Sequence, residues 1–279
     1  MNTGLLILKT RLVFSLIAIC LMFVFGCSKD AEITERNVIV IGRNPTPEVV
    51  VVADPKPLLI LQLNHIAGNQ PLEFDTYYTN QWGEQFTVDV FRYYLSNLVL
   101  IYDSATRMPL PETYFLVDQG KTTSRTIRLP HIPEGKLTGI ELLIGVDAAR
   151  NYSGAQMGAL DPVLGMFWTW NSGYIMAKIE GSYKKGNNPN AIYMWHCGGY
   201  DLPYSGIRTV KLSFPQTVVD TLQRTIIDIN ADVMEWFNSP NKARIDSIPV
   251  FNDPSAFSSM VADNYADMLT VKAITKTPF

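Results

Sequence analysis

The chain has 279 residues, among them three histidines, three cysteines, ten methionines and five tryptophans, the types best suited to metal or redox chemistry. Two of the histidines lie in strand-like text: His65 closes "LLILQLNHI", and His196 sits in "YMWHCGGY". If residues 193–197 form a strand, alternation puts Met194 and His196 on one face and Trp195 and Cys197 on the other. An imidazole beside a thioether is a donor pair for Cu(I), because soft ligands select copper over harder ions. The same types also serve as a buried histidine hydrogen-bonded to backbone and a methionine filling core space. His131, between two prolines in "LPHIPEG", reads as a loop residue.

The densest aromatic run is "GMFWTWNSGYIMAKIEG", residues 165–181. Strand alternation sets Phe167 and Thr169 on one side, with Trp168 and Trp170 on the other. Two tryptophans on one side pack a sandwich face, because each buries a large area. Exposed, they would form a platform for a sugar or a protein partner. Beside a metal, one of them becomes a target for oxidation. The Asn171-Ser172-Gly173 that follows is expected to be a turn or bulge releasing the chain into the next strand.

Signatures of catalysis are absent: no Gly-rich phosphate loop, no His-Glu-x-x-His, no Gly-x-Ser-x-Gly and no Cys-x-x-Cys. "DINAD" opens like a calcium loop at Asp228, Asn230 and Asp232. Val233 then stands where the turn glycine belongs and Ser239 where the bidentate glutamate belongs, so a strand running into a helix N-cap fits better. No catalytic residue is assigned, and the chain is expected not to be an enzyme.

The elements that must position these groups are mostly strands. "LLILQLNHI", "FTVDVFRYYLSNLVLIYD", "RTIRL", "LTGIELLIGV", "YIMAKIEGS", "AIYMWH", "RTVKLSF" and "TIIDIN" are rich in β-branched and aromatic residues, and turn residues separate most of them. Two helical pieces come late, "ADVMEWF" and "DPSAFSSMVADNYADML"; the second has apolar residues at helical spacing behind Asp253 or Ser255 as cap. Many strands without βαβ alternation predict an all-β fold, an antiparallel β-sandwich with one or two short helices late in the chain. The domain is expected over residues 58–279, preceded by a proline-flanked tether over 27–57.

Residues 1–26 read as a lipoprotein signal peptide. Lys9 and Arg11 precede an apolar stretch over residues 12–25, which is shorter than the roughly 20 residues of a membrane span. Val24-Phe25-Gly26-Cys27 resembles a lipobox, which makes Cys27 the lipidation site. Two or three acyl chains hold far more firmly than one, at about 0.8 kcal/mol per buried CH₂. The expected location is the bacterial outer membrane, on its periplasmic or cell-surface face. With Cys20 in the signal and Cys27 acylated, Cys197 has no disulfide partner. A formal net charge of −3 offers no general attraction for nucleic acid.

Several segments together resemble the MbnP-like family of methanobactin-associated and copper-repressible surface proteins. They are "FRYYLSNLVL", Gly145-Val146-Asp147 with Asn151, "GALDPVLGMFWTWNSGYIMAKIEG", "MWHCGGY" and "DNYADMLTV", in that order, and the likeness runs from about Leu59 to Ala273. The resemblance implies a β-sandwich that binds copper. It also implies that a di-haem partner of the MbnH type converts one tryptophan to kynurenine, and that histidines share the metal with the product. Trp168 and Trp170 match the family's Trp-x-Trp block, and His196 matches its His-containing strand. His65 matches a histidine of the first strand in related lipoproteins. The metal donors expected are therefore His65, His196 and Met194. The alternative is an envelope module without metal that docks a glycan or protein through the aromatic block.

Overall fold

In the computed structural model, which describes residues 38–41, 48–51, 58–103, 106–169 and 172–279, the alternating segments pair into two facing sheets. The strands that build them are β1 (Leu59–Ala67), β2 (Val90–Tyr102), β3 (Tyr114–Asp118), β4 (Thr126–Leu129), β5 (Gly135–Ile144), β6 (Gly173–Lys185), β7 (Asn188–Gly198), β8 (Arg208–Val219), β9 (Gln223–Asp232) and β10 (Leu269–Pro278). The smaller sheet runs β4-β1-β9-β10, and the larger runs β8-β5-β2-β6-β7, with β3 paired along β2. This is the all-β sandwich that the strand pattern predicts. Two pairings depart from the antiparallel rule: the two-residue strand Val250–Phe251 runs parallel to β7, and β1 and β9 run parallel, with His65 opposite Ala231. A parallel neighbour must arrive by a long crossover, which is how the first strand of the domain meets a late one.

Alternation decides which side chains meet between the sheets. Tyr193, Trp195 and Cys197 of β7 are fully buried and join one core with Leu59, Leu61 and Leu63 of β1. Trp195 lies 5.3 Å from Phe237 and 5.5 Å from Phe257, ring centre to ring centre, so it joins the strand to the late helical segments. Burying each such side chain contributes roughly 1.5–3 kcal/mol. In β2 the inward set changes from Phe91, Tyr93 and Leu95 to Leu98 and Leu100. The shift occurs at Asn97, whose φ of 51° is a left-handed conformation that asparagine tolerates.

The late helices form where expected. Val233–Phe237 makes a single 3-10 turn whose first residues are capped by the Asp232 carboxylate, which accepts from Met234 N. The longer helix, Ala256–Tyr265, starts at Ser255, whose hydroxyl accepts from Ser258 N. A short early helix, Ala148–Tyr152, is additional; Asp147 caps it through Arg150 N.

The chain divides into two compact units, Met1–Asp54 and Pro55–Phe279. In the first, Val38–Ile41 and Glu48–Val51 pair antiparallel. Cys27 and Trp170 lie outside the described residues.

Candidate functional site

His65 points into the sandwich and is 4 % exposed. Both of its ring nitrogens are engaged. Gln119 turns its amide nitrogen to the Leu72 carbonyl at 2.6 Å and accepts from Arg125 Nη1 with Oε1. That same oxygen faces His65 Nδ1 at 2.8 Å, so Nδ1 carries the proton and donates it. His65 Nε2 is left to accept from the Tyr93 hydroxyl at 3.0 Å. Burial, which disfavours the charged ring, lowers the His65 pKa to about 4; the Gln119 bond opposes this and the Arg125 charge adds to it. The imidazole is a neutral, fully bonded member of a buried network.

His196 belongs to the other side of the larger sheet. Its neighbours in sequence, Trp195 and Cys197, face the core, so alternation turns His196 and Met194 outward, as the sequence predicts. Register then aligns Asp118, Arg92, Lys178 and His196 across β3, β2, β6 and β7. Along this row Arg92 Nε lies 2.8 Å from Asp118 Oδ2. Glu180, next outward on β6, takes Lys178 Nζ at 3.3 Å and His196 Nε2 at 2.8 Å on one oxygen. The hydrogen bond from His196, with Lys178 in support, draws the Glu180 carboxyl down to about 2. Among the described residues no hydrogen bond engages His196 Nδ1.

The aromatic block folds back over this outward face. Arg92 Nη1 donates to the Leu164 carbonyl at 3.2 Å and Lys178 Nζ to the Gly165 carbonyl at 3.3 Å, which fastens the approach to the block onto the sheet. Beyond it Trp168 lies so close to Gly198 that a Cβ there would collide with the indole ring. Trp168 and Phe167 pack with Tyr94, Tyr174 and Met176 in a second, smaller apolar cluster, and not in the sandwich core where Trp168 is expected. The physical reason is that β6 is buried on both faces near its start, so its outer side needs an apolar cover of its own.

Of the turn expected after the block, Ser172 and Gly173 are described, and Ser172 is a turn residue. Gly173 adopts φ +70°, and Asn151 crowds the space its side chain would need. Asn151 accepts from Tyr174 N at 2.8 Å and donates to the Val146 carbonyl at 2.8 Å. It thereby ties the Gly145-Val146-Asp147 segment to the hairpin that follows the tryptophans.

The structure does not bring His65 and His196 together. One ring faces the interior from β1, and the other faces away from it on β7, with the larger sheet between them. The expectation of a site shared by the two is corrected accordingly: strand parity, not distance along the chain, separates them. Met194 does share a face with His196, two residues apart and so roughly 7 Å along the strand. Cys197 is a free, buried thiol on the core side, its pKa raised by burial, and His131 is an exposed loop residue. No group of three or more His, Cys, Asp or Glu able to hold a metal occurs among the described residues. The donor types on this face are an imidazole, a thioether and a carboxylate behind the imidazole, types that suit a soft ion better than a hard one.

Glu180, Lys178 and Arg92 were not singled out from the sequence. The signal was present in "AKIEG", where Lys178 and Glu180 alternate with Ala177 and Ile179 and so must share a face.

The family model for MbnP matches residues 56–253. No curated protein matches the chain. Among solved structures it is similar to MbnP from Methylosinus trichosporium, at 12% identity over 81% of this chain and 100% of that one, with a TM-score of 0.47.

Proposed function

The chain belongs to the MbnP family, and on that premise we propose that it is a copper-binding protein of the bacterial envelope, anchored by lipid on Cys27 and acting in copper acquisition or handling. The observation that carries the metal reading is the His196–Glu180 pair. A carboxylate that accepts a hydrogen bond from Nε2 fixes the tautomer and leaves the Nδ1 lone pair as the available donor. Met194 on the same face supplies a thioether, a donor that favours Cu(I). Copper would bring a Lewis-acidic, redox-active centre to this face. The chain's own part is to orient the imidazole through Glu180 and to hold Trp168 nearby against Gly198.

In this reading the protein is a substrate of tryptophan oxidation and not its catalyst. A di-haem partner of the MbnH type would supply the oxidation: with dioxygen or peroxide as oxidant the indole C2–C3 bond is cleaved to N-formylkynurenine, and water then releases C2 as formate to leave kynurenine. The candidates are Trp168 and Trp170. The lipobox-like Val24-Phe25-Gly26-Cys27 supports anchoring at the outer membrane, on its periplasmic or surface side.

The test is Cu(I) titration of the mature chain without its lipid. One equivalent is expected to bind, with loss of binding in His196→Ala, weakening in Met194→Leu and retention in His65→Gln. Absent binding, or binding indifferent to His196→Ala, overturns the metal reading and leaves a docking module. Intact mass of the native protein checks the tryptophan separately.

A further inference from the structure

We propose that the cleft between residues 158–164 and strands β3 and β4 binds a small organic anion with an apolar body. The cleft encloses about 660 Å³. That volume lies within the roughly 300–1,000 Å³ typical of small-molecule sites. Its apolar lining comes from Leu116 on β3 and from Ala159, Val163 and Leu164 of the covering segment, beside Thr123, Ser124 and Thr126. Val163 is 83 % exposed at the mouth, an apolar side chain that the fold leaves uncovered.

The charges around the cleft set the sign of the ligand. Arg92, Lys121 and Arg128 line it, against a single carboxylate, Asp118. Arg92 already pairs that carboxylate at 2.8 Å. Lys121 and Arg128 make no side-chain hydrogen bond or ion pair among the described residues, so two cations face the cleft without a counter-charge. Composition does not explain this, because the chain as a whole is acidic, at −3. A metal cation is repelled by such a lining, and a neutral apolar ligand leaves both cations unused. A carboxylate, sulfonate or phosphate ester on an aromatic or aliphatic body uses both features. Partly exposed ion pairs contribute little singly, so the apolar walls hold the ligand and the cations orient it.

The proposal is independent of copper, since its ligand contacts exclude His196, Glu180 and Met194. The probe is 8-anilinonaphthalene-1-sulfonate, titrated by fluorescence into the full mature chain at low salt. N-phenyl-1-naphthylamine, which has the same kind of body without the sulfonate, serves as the neutral comparison. One saturable sulfonate site is expected. It should weaken about 3- to 10-fold in the Lys121→Gln/Arg128→Gln double variant, as expected for two partly exposed pairs. The neutral probe should bind both proteins alike. Val163→Glu, which puts a carboxylate at the mouth, should weaken the sulfonate further still. All three replaced residues are exposed, and an unchanged unfolding midpoint verifies that the variants are folded. Absence of a saturable sulfonate site, or equal affinity in wild type and both variants, overturns the proposal.

Discussion

Glu180 Oε1 accepts a hydrogen bond from His196 Nε2 at 2.8 Å, across neighbouring strands on the outward face of the larger sheet. This contact fixes the tautomer and the orientation of the ring, which the proposed metal site requires. Glu180→Gln keeps the size of the side chain and removes its charge. Metal affinity should fall about 10- to 100-fold, the usual cost of losing an outer-shell carboxylate. Competition titration with a Cu(I) chelator measures it, and no change would show that the contact is purely structural.

His65 should make the fold acid-sensitive. Its pKa is about 4 in the folded protein against 6.5 in the unfolded chain. Between those values the unfolded state binds a proton that the folded state refuses. Stability is therefore fully present above pH 6.5 and declines as pH falls towards 4. The loss from this group should reach about 2–3 kcal/mol by pH 4.5. Urea unfolding at pH 7.5 and 4.5 measures it, and His65→Gln should show the smaller drop.

Gly198→Ala tests the seat of Trp168. The added methyl meets an aromatic ring held in a packed cluster. The expected cost is about 1–3 kcal/mol, the range for overpacking. Chemical denaturation gives the number, and a wild-type midpoint would mean that the indole can move away freely.

Glu84 supports a loop at a distance from the sites. Its carboxylate accepts from Asn80 Nδ2 at 2.7 Å, Ile245 N at 3.1 Å and Asp246 N at 3.0 Å. Glu84→Ala leaves these donors without their acceptor. Each orphaned donor costs about 1–3 kcal/mol, and hydrogen exchange should quicken at Ile245 and Asp246. Unchanged protection there would assign the loop's order to other contacts.

How much of this was legible in the sequence depends on whether a strand hides one face or two. β7 alternates cleanly, so the orientation of Met194, Trp195, His196 and Cys197 could be read directly. β3 does not alternate: residues 114–116 are all half-buried, because residues 158–164 stand over its outer side, and no strand was predicted there. β6 is buried at Gly173 through Ile179 without a break, so nothing in its letters reveals that its tryptophan-rich approach covers the outer face and not the core. The two histidines looked equivalent because each closes a strand. What separates them is the sheet each strand joins and its register, and these are fixed by partners far away in the chain, such as β9 beside β1.

Arg92 and Lys178 grip the chain ahead of Trp168 by the carbonyl oxygens of Leu164 and Gly165. Every amino acid brings that oxygen, so the clasp is indifferent to spelling on the gripped side and exacting on the gripping side. Evolution can rewrite Val163 and Leu164 to suit a new neighbour while the tryptophan stays where it is, provided the two cations are kept.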